Sequence, residues 1–303
     1  MNNIENLNKM LVSLDLTEID SSLIQYASFL SQTLETDKVF FVHAIQAYDL
    51  PDKSNKKFPD LNTSLSKTIQ EEINSVVTNH FKRNTKTEVI TKIENEDAAD
   101  VILDIIEKED IDIALIGQKY GEDREGRYGH KIATSAKSDL MFIPEQPKSS
   151  VNNILCAIDF SKDSEKAFKR ALDVSRATQA KLTCFYIFDT SKSYFPASTQ
   201  QTSSAIQKES EKKFEKFLKK FDLTPDDVQG EFEINDKLSS QAEKLYKKAE
   251  EIDADLAIIG AKGKTSVVTS LLGNVTENLR KMEKDIPVMI MKNQGKKKNW
   301  LSF

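Results

Sequence analysis

Short apolar runs alternate with longer amphipathic stretches along the whole chain. In the second half, the length and β-branched content of these runs predict five buried strands, at Ile154–Ile158, Leu182–Phe188, Gly230–Ile234, Leu256–Ile259 and Val288–Met291. Apolar residues spaced three or four apart predict helices between them, at Ser164–Thr178, Thr202–Lys220, Ser239–Ile252 and from near Asn274. Because strands and helices alternate, the pattern predicts a parallel sheet with helices on both faces, the flavodoxin-like or Rossmann-like α/β class.

The first half of the chain repeats this pattern. A strand followed by an aspartate, a hydroxyl residue and a helix start occurs at Asp15 and again at Asp159, 144 residues later. The runs IDIALIG and ADLAIIG end at Gly117 and Gly260, 143 residues apart. Such constant offsets indicate a duplicated domain, so we expect two similar five-stranded domains packed as an internal pseudo-dimer. Their expected bounds are 1–146 and 151–293.

The stretch Asp255–Thr276 carries the candidate chemistry. Its predicted strand ends at Gly260, and two further glycines, Gly263 and Gly273, follow. Glycine lacks a Cβ and tolerates positive φ, so backbone N–H groups around it can approach a phosphate closely. Asn274 is typical of a helix N-cap, and a helix N-terminus favours anions. The stretch therefore predicts an anion-binding site at the carboxyl end of a strand.

This loop resembles the nucleotide-binding loop of the universal stress protein family at Gly260, Gly263, Gly273, Val275 and Thr276. The resemblance covers nearly the whole chain and is strongest over 151–292. One position departs from the family pattern, which usually has serine or threonine after the third glycine, where this chain has Asn274.

The resemblance implies that the second domain binds ATP or a related adenine nucleotide, with or without Mg²⁺. The positions that match the family's nucleotide contacts are Ala157, Asp159, Ile187, Ile259, Gly260, Lys262, Gly263, Gly273, Asn274, Val275 and Thr276. A carboxylate such as that of Asp159 can accept hydrogen bonds from an adenine amino group or from ribose hydroxyls. The alternative is that Asp159 is only a turn residue at the start of the following helix and binds no ligand.

The corresponding loop of the first half differs. Tyr120 stands where the second half has Gly263, and the loop from Gly117 to Gly129 is one residue shorter. The spacing no longer fits the family's phosphate-binding loop, so we expect a degenerate first site. The charged residues of this loop are interpreted as a solvated surface.

Composition narrows the function further. The chain of 303 residues carries a net charge of −5, which argues against a dedicated nucleic-acid-binding protein, since such proteins usually present a basic face. We expect no signal peptide, no membrane span and a cytoplasmic location. The two cysteines, Cys156 and Cys184, lie in apolar runs and are interpreted as core thiols. The three histidines show no metal-ligand spacing, so no metal site and no catalytic residue are expected.

The last ten residues, 294–303, read QGKKKNWLSF and are interpreted as a frayed, flexible tail, with docking on a partner or an acidic lipid surface as the alternative. The sequence as a whole predicts a regulatory or stress-response protein with an unidentified protein partner, and further homodimerisation is possible. A slow ATPase is one alternative. A pure interaction protein with two decayed sites, of which Asn274 would be an early sign, is another.

Overall fold

In a computed structural model of the protein, the described residues are 7–45, 59–82, 86–94, 97–118, 129, 131–148, 150–189, 199–235, 239–261 and 286–292, with backbone only for 59–65, 189 and 199–204. The chain divides into two compact units, and the principal boundary lies between Val151 and Asn152. Within the described residues, no helix combines the length and apolarity that crossing a bilayer requires.

The first unit alternates strands with helices. Its strands are β1 (Lys9–Leu14), β2 (Lys38–Ala44), β3 (Glu88–Glu94), β4 (Ile113–Gly117) and β5 (Asp139–Ile143). Its helices are α1 (Ile19–Thr33), α2 (Pro59–His80) and α3 (Ala98–Glu109), and a short helical stretch covers 131–135. The strands lie in the order β3-β2-β1-β4-β5, and the described ladders between them are parallel.

The second unit repeats the arrangement. Its strands are β6 (Asn153–Ala157), β7 (Lys181–Asp189), β8 (Gln229–Asn235), β9 (Leu256–Gly260) and β10 (Val288–Met291). Its helices are α4 (Lys162–Thr178), α5 (Thr199–Leu218), followed by a 3-10 turn at Lys219–Phe221, and α6 (Gln241–Glu251). The strand order is β10-β9-β6-β7-β8, with parallel pairing of β6 to β7 and β9 and of β7 to β8.

The prediction of two tandem Rossmann-like five-stranded domains is confirmed by the strand order within each unit. In each unit the first strand lies in the centre of the five, and the chain proceeds to one side of it before crossing to the other. The carboxyl edge between β6 and β9 is therefore the topological switch point, where folds of this class bind ligands. Packing of the two domains as an internal pseudo-dimer stays a prediction.

Local sequence explains where the helices begin. The hydroxyl of Ser161 accepts a hydrogen bond from the Ser164 amide at 3.2 Å, which caps α4. Ser240 and Glu243 form a reciprocal capping box at the start of α6, with distances of 3.1 and 2.8 Å. In the first unit, Asp97 caps α3 by accepting from two amides. Each cap satisfies amides that have no partner inside the helix, so the polar residues before each apolar stripe fix the helix starts.

The two cysteines lie side by side in the core of the second unit. Cys156 on β6 is in register with Cys184 on β7, and both side chains are fully buried. Burial raises the pKa of the Cys184 thiol, and the neighbouring Cys156 adds to that effect. Because thiolates are the reactive form of cysteine, this environment fits the interpretation of the pair as core thiols.

Candidate functional site

Three strand ends meet at the carboxyl edge of the second sheet. β6 lies between β7 and β9, with Ala157 beside Phe185 and Cys156 beside Ile258 in the parallel registers. The sequence-predicted residues Ala157, Asp159, Ile187, Ile259 and Gly260 therefore lie at or just beyond neighbouring strand ends. After β9 the described residues end at Ala261, and the glycine-containing stretch that follows in the sequence lies outside them.

Asp159 begins a tight turn between β6 and α4. Its carboxylate accepts a hydrogen bond from the backbone N–H of Ser161 at 2.9 Å, and the side chain is half-buried. Phe160 adopts the left-handed conformation with φ of 60°, which turns the chain sharply into the helix. Asp159 thus stabilises the turn that leads into α4, which is the alternative to a ligand-binding role. It also places a carboxylate at the candidate site.

An aromatic cluster anchors this turn. The Phe160 ring contacts Tyr186 and Phe217, with centroid distances of 4.7 and 5.6 Å. Tyr186 precedes Ile187 on β7, so the same contact joins the turn after β6 to the end of β7. A non-glycine residue in the left-handed region costs free energy, and these ring contacts offset that cost. The sequence pattern does not single out Phe160, and its position directly after Asp159 is the one signal that points to it.

Gly260 lies where the first turn of α4 closes on the end of β9. A Cβ at Gly260 would meet the Asp163 backbone carbonyl carbon at 2.8 Å and its oxygen at 2.9 Å. Asp163 is itself buried. Only a glycine allows this approach, so Gly260 is required by packing within the domain in addition to its place at the head of the loop.

We expect Gly260→Ala to lower the free energy of unfolding of the second domain by about 1–3 kcal/mol, since the backbone atoms it meets can move only with the helix. Gly117→Ala in the first domain is the matched control, because its Cβ would meet the flexible end of the Ile19 side chain at 3.1 Å. Denaturant unfolding of both variants measures the difference. Equal losses in the two variants would show that the Asp163 backbone yields readily.

The remaining predicted contact residues lie outside the described residues. They are Lys262, Gly263, Gly273, Asn274, Val275 and Thr276. Their assignment as nucleotide contacts stays a prediction, as does the divergence of the first-half loop at Tyr120, which also lies outside. Among the residues that the structure does describe, no group of three or more His, Cys, Asp and Glu side chains could hold a metal ion.

The first domain has the same turn with a different chemistry. Leu16 has φ of 61°, like Phe160, but its side chain is 41% exposed. The two oxygens of Asp20, in the first turn of α1, accept hydrogen bonds from the amides of Asp15 (3.2 Å) and Leu16 (2.9 Å). At the equivalent position, 144 residues later, the second domain has Ser164. A side chain from the helix thus binds the first two turn amides of the first domain, whereas in the second domain Asp159 binds the Ser161 amide.

Asp20 is unusual because it is buried beside another carboxylate. Its side chain is 4% exposed. Burial and, second, the charge of Asp15 raise the pKa of the Asp20 carboxyl to about 7, against the opposing effect of the two amide donors. The sequence pattern does not single out Asp20, and the signal that points to it is the alignment of the two halves, which places Asp20 opposite Ser164.

His43 occupies the first-domain position that corresponds to Ile187. Its side chain is buried, and Nδ1 lies 3.0 Å from the Leu14 carbonyl oxygen. Since a carbonyl only accepts, Nδ1 donates. The buried ring nitrogen Nδ1 therefore has a hydrogen-bond partner within the domain. The first domain therefore differs from the second at both the turn and the end of its second strand.

Comparison with known proteins agrees with this architecture. The model of the universal stress protein family matches residues 150–292. A Staphylococcus haemolyticus protein named as a universal stress protein is 32% identical over 129 residues, which cover 41% of this chain and 75% of the relative. A Staphylococcus aureus protein of the same name is 33% identical over 133 residues, or 42% and 76% of the two chains.

Solved structures extend the likeness to both domains. A universal stress protein from Archaeoglobus fulgidus has a TM-score of 0.66 at 18% identity, covering 95% of this chain and 99% of that one. One from Pseudomonas aeruginosa has a TM-score of 0.60 at 15% identity, covering 95% and 94%. At such low identity the likeness shows the fold of the tandem pair. Together with the matched sequence of the second domain, it establishes that the chain belongs to the universal stress protein family.

Proposed function

We propose that the second domain binds ATP or a related adenine nucleotide at the carboxyl edge of β7, β6 and β9, and that the protein acts as a regulatory, stress-response module. The observation that carries this proposal is the placement of Asp159, Ile187 and Gly260 on three neighbouring strand ends, at the switch point and directly before the glycine loop. Folds of this class bind nucleotides at that edge.

The described residues fit such a ligand. Asp159 offers a carboxylate that accepts hydrogen bonds, and Ile187 lies near the carboxyl end of β7, where its backbone can meet a base. A carboxylate repels phosphates, so the base and ribose belong near Asp159 and the phosphates near the glycine loop. In that loop, Lys262 offers a positive charge and Thr276 a hydroxyl, with Mg²⁺ as a possible companion of the phosphates.

The experiment is a calorimetric titration of the full chain with ATP, using Asp159→Asn and its first-domain counterpart Asp15→Asn as a matched pair. We expect Asp159→Asn to weaken binding by about tenfold, the effect of losing about 1.4 kcal/mol of hydrogen bonding. Asp15→Asn should leave the affinity unchanged. Undetectable binding by the parent protein would overturn the proposal.

We expect one ATP per chain, because the first domain has Tyr120 where the second has Gly263 and its loop is one residue shorter. The same titration reports the stoichiometry. Two equivalent sites would show that the first domain binds nucleotide despite these differences. In that case Asp15→Asn would affect half of the binding.

The proposal includes a cytoplasmic location, domain bounds at 1–146 and 151–293, and an unidentified protein partner. Mass spectrometry of small molecules that co-purify with the gently isolated protein distinguishes ATP from ADP, AMP or a cyclic nucleotide. Release of phosphate from ATP, measured on the same preparation, tests the alternative of a slow ATPase. Absence of both binding and hydrolysis would favour an interaction protein with decayed sites.

A further inference from the structure

A cleft lies at the amino edge of the second-domain strands, opposite the candidate nucleotide site at their carboxyl edge. It encloses about 610 Å³ between α4, α5 and the amino ends of β7 and β8. The residues around it include Leu172 and Ser175 of α4, Phe214 of α5, and Lys181 and Gln229, which begin the two strands. We call it the amino-edge cleft.

The floor of the amino-edge cleft is apolar. Phe214, Leu182 and Val228 are buried there, and Phe232 packs edge-on against Phe214 with a centroid distance of 5.7 Å. A Cβ at Gly230 would lie 2.6 Å from the Phe214 ring, so the absence of a side chain at this position lets the ring reach the floor. An open cleft with such a floor suits an aromatic or aliphatic group.

The rim is acidic. Glu211, Asp226 and Asp227 line it with exposed carboxylates, and Lys181 is the one cation among the residues that the structure places around the cleft. Hydrogen bonds from the Thr224 backbone N–H and hydroxyl lower the pKa of Asp227, so this carboxyl is ionised at neutral pH. An occupant that combines cationic and aromatic groups would match both the rim and the floor.

This chain carries such a segment. Residues 294–303 contain three consecutive lysines, Lys296–Lys298, followed by the single tryptophan of the protein, Trp300, and by Leu301 and Phe303. The lysines are opposite in charge to the acidic rim, and the large apolar residues after them match the apolar floor. No other stretch of the chain combines a run of three lysines with a tryptophan.

The geometry of the preceding residue places the segment within reach. The Lys292 carbonyl oxygen, just after β10, accepts a hydrogen bond from Lys166 Nζ of α4 at 2.6 Å. From Lys166 to Ser175, which lines the cleft, α4 rises about 14 Å. The chain from Lys292 to Trp300 spans up to about 26 Å when extended. The extended segment is therefore about 12 Å longer than the rise along α4 from Lys166 to Ser175.

We propose that residues 294–303 dock in the amino-edge cleft of their own second domain. The lysines lie at the rim beside Glu211 and Asp226, and Trp300 lies against the apolar floor at Phe214. Residues 294–303 lie outside the described residues, so their interpretation as a frayed tail stays a prediction, and the experiment below decides between it and docking. The proposal does not depend on nucleotide binding at the other edge.

Trp300 is its own reporter, because the chain has no other tryptophan. In the full chain, without nucleotide, we expect indole emission at shorter wavelength than in the urea-unfolded protein and protection from acrylamide quenching. The double variant Glu211→Lys/Asp226→Lys reverses two charges of the rim. It should shift the indole emission to longer wavelength and raise the acrylamide quenching constant severalfold. Both positions are exposed, and circular dichroism checks that the variant remains folded.

Two further variants make the test specific. Glu71→Lys/Glu72→Lys makes the same change of net charge on α2 of the first domain and should leave the emission unchanged. Replacing the three lysines by glutamate should release the indole, and combining that replacement with Glu211→Lys/Asp226→Lys should restore its protection.

The proposal is wrong if the parent protein shows the emission of a fully exposed indole, since the segment is then a frayed tail. It is equally wrong if the cleft variants leave the indole protected, because Trp300 would then lie elsewhere. Protection that disappears on dilution would identify the occupant as the segment of a second copy, which overturns docking within one chain.

Discussion

In the parent protein, we expect the free energy of unfolding of the first domain to fall as pH rises from about 4 to about 7. In the Asp20→Asn variant, we expect this fall to be absent. The ordinary pKa of 3.8 is raised to about 7 in the folded state. Each pKa unit corresponds to about 1.4 kcal/mol, so the whole effect is as much as about 4 kcal/mol.

The sign follows from which state holds the proton. Between these pH values the folded protein keeps the Asp20 carboxyl protonated, whereas the unfolded chain has released the proton. The stabilising contribution is therefore complete below about pH 4 and is lost as pH rises through the folded pKa. Above about pH 8 both states are ionised, and the difference between parent and variant levels off.

Urea unfolding at several pH values measures the effect, and hydrogen exchange in α1 assigns the transition to the first domain. Asp20→Ser introduces the residue found at the equivalent position of the second domain and should flatten the pH profile in the same way. Asp15→Asn removes only the neighbouring charge, so it should reduce the slope without abolishing it. Parallel profiles for the parent and all three variants would show that Asp20 is not protonated near neutral pH.

The order of strands and helices could be predicted because it depends on periodicity. The five predicted strands of the second half differ from β6–β10 by at most one residue at each end. The start of α4 was placed two residues late, at Ser164, because two serines precede the apolar stripe and the pattern does not say which of them caps. The structure assigns the cap to Ser161.

The contacts that hold the described part of the candidate site could not be predicted without the tertiary structure. That Asp159 ends a strand was readable from the sequence, but the left-handed turn at Phe160 depends on rings from β7 and α5. Likewise, the requirement for glycine at Gly260 has a second cause, the approach of Asp163 from α4. Contacts between residues far apart in the chain leave no periodic signal, so a single sequence does not reveal them.

The two domains use one turn in two ways. In the second domain the turn after β6 is anchored by Phe160 in an aromatic cluster, and Ser164 follows in the helix. In the first domain, the exposed side chain of Leu16 replaces that anchor, and Asp20 accepts hydrogen bonds from the turn amides. The two domains therefore differ in what holds this turn, aromatic rings in the second domain and a buried carboxyl group in the first.

The most direct test of the glycine loop is Gly273→Asp, which we expect to abolish measurable ATP binding at micromolar concentration. The substitution adds bulk where backbone amides must approach a phosphate, and it adds a like charge. At an effective dielectric constant of about 20 and a separation of about 4 Å, the repulsion is about 4 kcal/mol. That is about half of the roughly 8 kcal/mol of a micromolar interaction, or close to a thousandfold in affinity.

The control variant for Gly273→Asp is Lys262→Ala, which removes one attractive charge. An exposed ion pair contributes up to about 1 kcal/mol, so this variant should bind ATP only a few-fold more weakly. Calorimetric titration is combined with thermal unfolding of both variants, since loss of binding counts only if the second domain remains folded. A Gly273→Asp protein that folds normally and binds ATP like the parent would show that the phosphates lie away from this loop.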